Sequence, residues 1–193
     1  MAMADVRKQV GEARLRKSGL SEEDVARVSA ALPATLQGDR DRCIILLGYA
    51  TALRRSSLAA LVREDIDERD DAITIKFDRE IGPIHPAPSI TVTVNHRPDL
   101  CAVTAYKNWI AASGIIDGPL FRWITRHGTL RTDGLSDKAV SMVVKRAVAL
   151  VGKDPALFAA NSLRDGVASL RRAGVDSLRG GAADSESRQA RPL

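Results

Sequence analysis

The stretch Cys43–Leu53, CIILLGYATAL, is apolar around almost its whole circumference and runs directly into Arg54 and Arg55. A helix that is apolar all round is stable only when other elements enclose it. The remaining segments must therefore supply a shell around this one. The two arginines at its end sharpen the constraint, because neighbouring residues on a helix point in different directions. On a continuing helix, one of the two guanidinium groups would be turned inward.

The flanking segments read as such a shell. Ser21 in SEED is an N-cap with Asp24 as capping-box partner, and Val25, Val28 and Leu32 fall on one face before Pro33 ends the helix. Asp39 and Asp41 sit in the first turn of the central helix, and Ser56 is a candidate cap for a short helix that turns Leu58 and Leu61 inward. Residues 72–77, AITIKF, and 90–95, ITVTVN, alternate and are β-branched, so they predict two antiparallel strands. Pro98 suits the first turn of a helix reaching about Ala112. GIIDGPLFRWITRHGTLRTDG reads as loop with one short extended piece. Ser136 caps a long helix with Val140, Val143, Val144 and Ala147 on one side, and a last helix runs through NSLRDGVASLRRA. Helices, a small sheet and helices again predict a mainly α (α+β) domain with a small antiparallel sheet. Residues 1–20 read as a linker or solvated helix, 21–176 as the domain, and 177–193, small and polar, as a disordered tail.

The 193 residues suit one domain, since domains commonly run to about 100–200 residues. A net charge of +5 permits a polyanionic partner without demanding one. Cys43 and Cys101 match neither a metal-ligand spacing nor a disulfide framework, which favours a reducing compartment. No apolar stretch approaches the roughly 18 residues of a membrane span. The N-terminus has no signal-peptide core. The expected localisation is cytoplasmic, with no membrane partner.

Three basic features separated along the chain are candidates for one anion site: Arg54, the pair Lys76 and Arg79 beside the first strand, and Arg164 in NSLRDG. Each also has a structural reading, as a helix-dipole partner, a solvated strand cation or an ion-pair member.

RDRCIILLGYATALRRSSLAALVREDID resembles the first box of the tyrosine recombinase (phage integrase) family, a helix followed by Gly-Leu-Arg and Ser-Glu-Leu. LSDKAVSMVVKRAVALVGKDPALFAANSLRDGVASLRRAGV resembles the second, which carries His-x-x-Arg at the start of a helix. Two boxes in order are more specific than either alone. The resemblance spans residues 21–175 and implies a helical integrase-like catalytic domain that acts on double-stranded DNA, forms a 3′-phosphotyrosyl link and uses no metal or other cofactor. It casts Arg54 and Arg164 as the arginines that hold the scissile phosphate. Permanently charged fork donors suit charge that develops on phosphate oxygens. Arg55 takes a structural or DNA-flanking role.

The chain also departs from the family pattern. Asn161 stands at the His position and cannot shuttle a proton near neutral pH. Arg79 falls at or near the position of the catalytic lysine, with Lys76 inside the strand, and a guanidinium is a poor acid. Ala52 replaces the expected Gly, and Ser57 the Glu. The third box, Gly-His followed by the nucleophilic Tyr, is not found. Tyr49 and Tyr106 lie in helices and read as core residues, while His85, His96 and His127 fall outside the motif positions. The expectation is a truncated, degenerate catalytic domain that binds DNA through Arg54, Lys76, Arg79 and Arg164 and does not cleave it alone. A second copy or a related recombinase protomer is the expected protein partner. Two alternatives stand: strand exchange with a tyrosine supplied in trans, and a protein-interaction or functionless fragment.

Overall fold

A computed structural model describes residues 17–77 and 89–172. Its helices are α1 (Glu22–Ala31), α2 (Leu36–Thr51), α3 (Arg55–Ala60), α4 (Ala102–Ser113), α5 (Asp137–Leu150) and α6 (Asn161–Arg172). Its strands are β1 (Ile66–Glu68), β2 (Ala72–Lys76), β3 (Ser89–Thr93), β4 (Arg122–Ile124) and β5 (Leu130–Gly134). The fold is mainly α with a small antiparallel sheet, as the sequence predicts.

α2 is the axle. Cys43 through Tyr49 are buried without interruption, and α2 packs against α1, α4, α5 and α6. The capping box predicted for α1 is formed: Ser21 Oγ accepts from the Asp24 amide, and Asp24 accepts from the Ser21 amide. α5 is capped by Ser136 and buries Val140, Val143, Val144 and Ala147.

The three-stranded sheet has the order β1-β2-β3, all antiparallel, with Ile73 opposite Val92 and Ile75 opposite Ile90. β1, Ile-Asp-Glu, carries no strand signature of its own, and pairing with β2 puts it in the sheet. Residues 122–134 likewise form a β4–β5 hairpin where one extended piece is expected. Pro98 lies in a separate 3-10 turn, and Cys101 caps α4 by accepting from the Thr104 amide. Thr35 caps α2 and starts it at Leu36, so that Asp39 falls in the first turn and Asp41 beyond it. Residues 61–63 pair with 118–120 through Arg63 N–H to the Gly118 carbonyl (2.8 Å) and Leu120 N–H to the Leu61 carbonyl (2.9 Å).

The chain entering α1 is held to α6. Ser18 N–H donates to the Leu157 carbonyl and Leu20 N–H to the Ser162 carbonyl, each at 2.9 Å, and the Leu20 side chain is buried. Here the backbones approach so closely that a Cβ on Gly166 would stand 1.9 Å from the Leu20 carbonyl oxygen.

Candidate anion site at the exit of the central helix

The two arginines do not continue the central helix. Ala52 adopts the left-handed conformation (φ 54°, ψ 26°) and its N–H returns to the Gly48 carbonyl, which stops α2 one residue after Thr51. Arg54 follows in extended geometry (φ −68°, ψ 150°) and is the N-terminal residue of α3, its carbonyl accepting from the Leu58 amide at 2.9 Å. The cap therefore falls at Arg54, not at Ser56 as expected, and with no side-chain cap bond. The turn separates the two guanidinium groups. Arg55 pairs through Nε with Asp137 at 3.1 Å and ties α3 to the first turn of α5, a structural role. Arg54 is exposed.

α6 reaches the same corner by close packing. The Leu163 Cδ1 lies 2.9 Å, and the Leu58 Cδ1 3.0 Å, from the point where a Cβ on Gly48 would stand. Gly48 is one helical turn before Ala52, and Arg164 is the neighbour of the buried Leu163. The three-way contact of Gly48, Leu58 and Leu163 thus anchors the backbone on which both arginines sit. Asn161 and Arg164 are three residues apart and share a side of α6. Asn161 is exposed and Arg164 half-buried.

Most of the described arginines are ion-paired; Arg54 and Arg164, like Arg27, Arg69 and Arg126, are not. Arg40, Arg42, Arg55, Arg63, Arg97, Arg122, Arg131 and Arg146 each pair with a carboxylate. Among the described residues, neither Arg54 nor Arg164 has an acidic partner. A guanidinium without an internal counter-ion keeps its fork of donors available for a phosphate. Lys76 differs. It is exposed at the end of β2 and pairs with Asp67 at 3.4 Å. Arg79 and His85 lie outside the described residues, as do most of the linker and the whole of the tail.

The remaining candidates occupy other places. Tyr49 and Tyr106 are buried, and neither hydroxyl has a hydrogen-bond partner among the described residues. Burial drives both phenols above their ordinary range, and the Arg63 guanidinium lies 5.8 Å from the Tyr106 ring centroid. His96 and His127 are exposed. The Cys43 thiol is also pushed up by burial.

A charged cluster in the interior has no counterpart in the sequence reading. The buried Asp41 carboxylate accepts from Arg40 Nε (3.0 Å) and Nη2 (2.7 Å) and from Arg146 Nη2 (3.2 Å), while Arg40 Nη1 donates to the Arg122 carbonyl (3.0 Å). Helix periodicity gives no sign that adjacent residues pair, and Arg146 lies 105 positions away. The cluster ties α2, α5 and the foot of the β4–β5 hairpin together.

Comparison with known proteins identifies the fold. The chain is similar to the XerD integrase/recombinase homolog of Selenomonas ruminantium, 35% identical over 180 residues that make up 92% of this chain and 53% of that protein. It therefore spans about half the length of that curated relative. No family model matches the chain. Among solved structures, the XerH site-specific recombinase bound to difH substrate aligns with a TM-score of 0.56 at 14% identity, covering 87% of this chain and 48% of that one. The integrase of mycobacterium phage Brujita aligns at 0.51 with 23% identity, covering 82% and 45%. A lambda integrase dimer bound to a COC′ core site aligns at 0.53 with 16% identity, covering 93% and 49%. The fold is that of a tyrosine recombinase catalytic domain. The sequence similarity to the XerD homolog agrees with that fold.

Proposed function

We propose that this chain is a duplex-DNA-binding domain of the site-specific recombinase type, in which Arg54 and Arg164 hold a backbone phosphate. The observation that carries this reading is the pair of arginines without acidic partners, fixed around the Gly48–Leu58–Leu163 contact. Support comes from the DNA-bound states of the XerH and lambda integrase relatives. Asn161 adds a neutral amide donor in place of a proton carrier. Lys76 and Arg79 would flank the phosphate from the sheet, with Lys76 leaving Asp67 to do so. Neither buried tyrosine can reach a phosphate, so the described residues bind DNA without supplying the nucleophile. A second protomer, of this chain or of a related recombinase, is the expected protein partner.

The test is a salt titration of duplex binding. Each phosphate neutralised contributes about −0.9 to the slope of log affinity against log salt. Arg54→Ala with Arg164→Ala should weaken binding and flatten that slope by about 1, the contribution of the one phosphate they hold. An unchanged slope would refute the clamp. A nicked suicide duplex should trap no covalent adduct with the chain alone. An adduct that forms only with an added tyrosine-bearing homologue would favour the in-trans alternative.

A further inference from the structure

We propose that the β4–β5 hairpin is a second duplex-DNA contact, with Arg126 and Arg131 as its phosphate-binding cations. The proposal rests on the reading of this chain as a DNA-binding domain. The hairpin has two different ends. Its foot is fixed: Arg40 Nη1 holds the Arg122 carbonyl (3.0 Å), Arg122 Nε donates to the Pro119 carbonyl (2.9 Å), and Leu135 N–H donates to the Phe121 carbonyl (2.7 Å). Ile124 and Leu130, paired across the strands, pack partly buried against the core.

The opposite face and the tip are free of the core. Between the pairs Arg122–Gly134 and Ile124–Leu130 the register shifts, and Trp123 on β4 lies opposite the segment of β5 that carries Arg131 and Asp133. All three are exposed, as are residues 126–129 at the tip. The turn is closed by Gly128 N–H to the Thr125 carbonyl (3.0 Å) and Thr125 N–H to the Thr129 carbonyl (2.9 Å), with Gly128 at φ 82°. Arg126 has no carboxylate partner among the described residues; its Nε donates to His127 Nε2 at 3.0 Å. Arg131 pairs only with the exposed Asp133 at 3.2 Å, an ion pair weak enough for a phosphate to replace. The hairpin thus presents an exposed Trp and two arginines on a strand pair held at one end, the combination of flat ring and cations that suits a nucleic-acid backbone.

Continuity with the first site indicates what covers it. The foot of the hairpin leads through Leu135 and Ser136 to Asp137, which holds Arg55, the neighbour of Arg54. About five residues of strand separate the foot from the tip, roughly 17 Å at about 3.4 Å per residue. A duplex carries one phosphate charge per about 1.7 Å of axis, so roughly ten lie within that length. A duplex seated on Arg54 and Arg164 and running along the hairpin would present further phosphates to Arg126 and Arg131.

The intrinsic fluorescence of the chain tests this directly. It has two tryptophans, Trp109 fully buried and Trp123 44% exposed, so acrylamide quenching reports almost entirely on the hairpin. Adding a saturating 25-base-pair duplex at low salt should protect Trp123. Arg126→Ala with Arg131→Ala should weaken binding, and each lost contact should remove about a factor of three to four from the fall in affinity between about 50 and 200 mM salt. Arg126→Lys should retain most of the affinity, and Arg126→Glu should lose more than the alanine variant. Saturable binding that leaves Trp123 equally quenchable and is indifferent to the hairpin variants, yet falls in Arg54→Ala, would overturn the hairpin contact and leave the clamp standing. Absence of duplex binding at low salt would overturn both.

Discussion

Gly166→Ala separates local from tertiary control of α6 by the sign of its effect. On helix propensity alone, Ala in place of Gly inside a helix stabilises by about 1 kcal/mol. The packing predicts the reverse. A Cβ at 166 would stand 1.9 Å from the Leu20 carbonyl oxygen, where ordinary contact begins at 3.4 Å. The two backbones would have to part by the difference of these, 3.4 − 1.9 = 1.5 Å. That separation breaks the 2.9 Å bond from Leu20 N–H to the Ser162 carbonyl and draws Leu20, 1% exposed, out of the core. A lost hydrogen bond costs about 0.5–1.5 kcal/mol and exposure of a Leu about 1.5–3 kcal/mol. After the propensity gain is set against them, the net loss is about 1–3 kcal/mol. Urea unfolding of both proteins measures it, with the duplex-binding slope showing whether Arg164 moves with its helix. If Gly166→Ala is stabilising, with binding unchanged, the reasoning that the entry segment fixes α6 is wrong.

Other expectations follow from single contacts. Ala52→Gly should raise the melting temperature by a few degrees, because a left-handed Ala costs about 1–2 kcal/mol and Gly gives back only part of that in chain entropy; a calorimetric scan decides. Tyr106→Phe should be neutral or stabilising by about 1 kcal/mol in urea unfolding, since it deletes a buried hydroxyl without a partner and keeps the ring beneath Arg63. Asp41→Asn should cost about 3 kcal/mol, because it leaves the buried Arg40 without its counter-charge; a variant within about 0.5 kcal/mol of the parent would contradict the cluster's role. Burial alone would raise the Asp24 carboxyl, but hydrogen bonds from Lys153 and Ser21 and the Lys153 charge outweigh it and hold the group below its usual value of 3.8. A depressed carboxylate stabilises the fold at pH above its unfolded value, and that contribution is lost as pH falls through the folded one. Lys153→Met should therefore reduce the acid sensitivity of unfolding below about pH 4.

Local rules made much of this protein legible. The capping box at Ser21, the Ser136 cap, the inward face of α5 and the alternation of β2 and β3 each depend on neighbours a few residues apart. The all-apolar helix forced a surrounding shell on the same grounds. The resemblance of the two arginine-bearing boxes drew on order and residue type, again properties of the line of text.

Tertiary structure decided what line order does not contain. β1 exists because β2 offers it an edge, and the β4–β5 hairpin because Arg40 and the core hold its foot. The buried Asp41 meets a second arginine besides Arg40 because α5 brings the half-exposed Arg146 across from the far end of the chain. The opening pair of arginines was resolved in the same way. Arg54 and Arg55 are identical in chemistry and adjacent in sequence. A left-handed Ala52 breaks the helix between core and arginines, and Asp137 then engages only one of them. Which guanidinium is a brace and which is free for an anion depends on where an acidic residue 82 positions onward comes to rest.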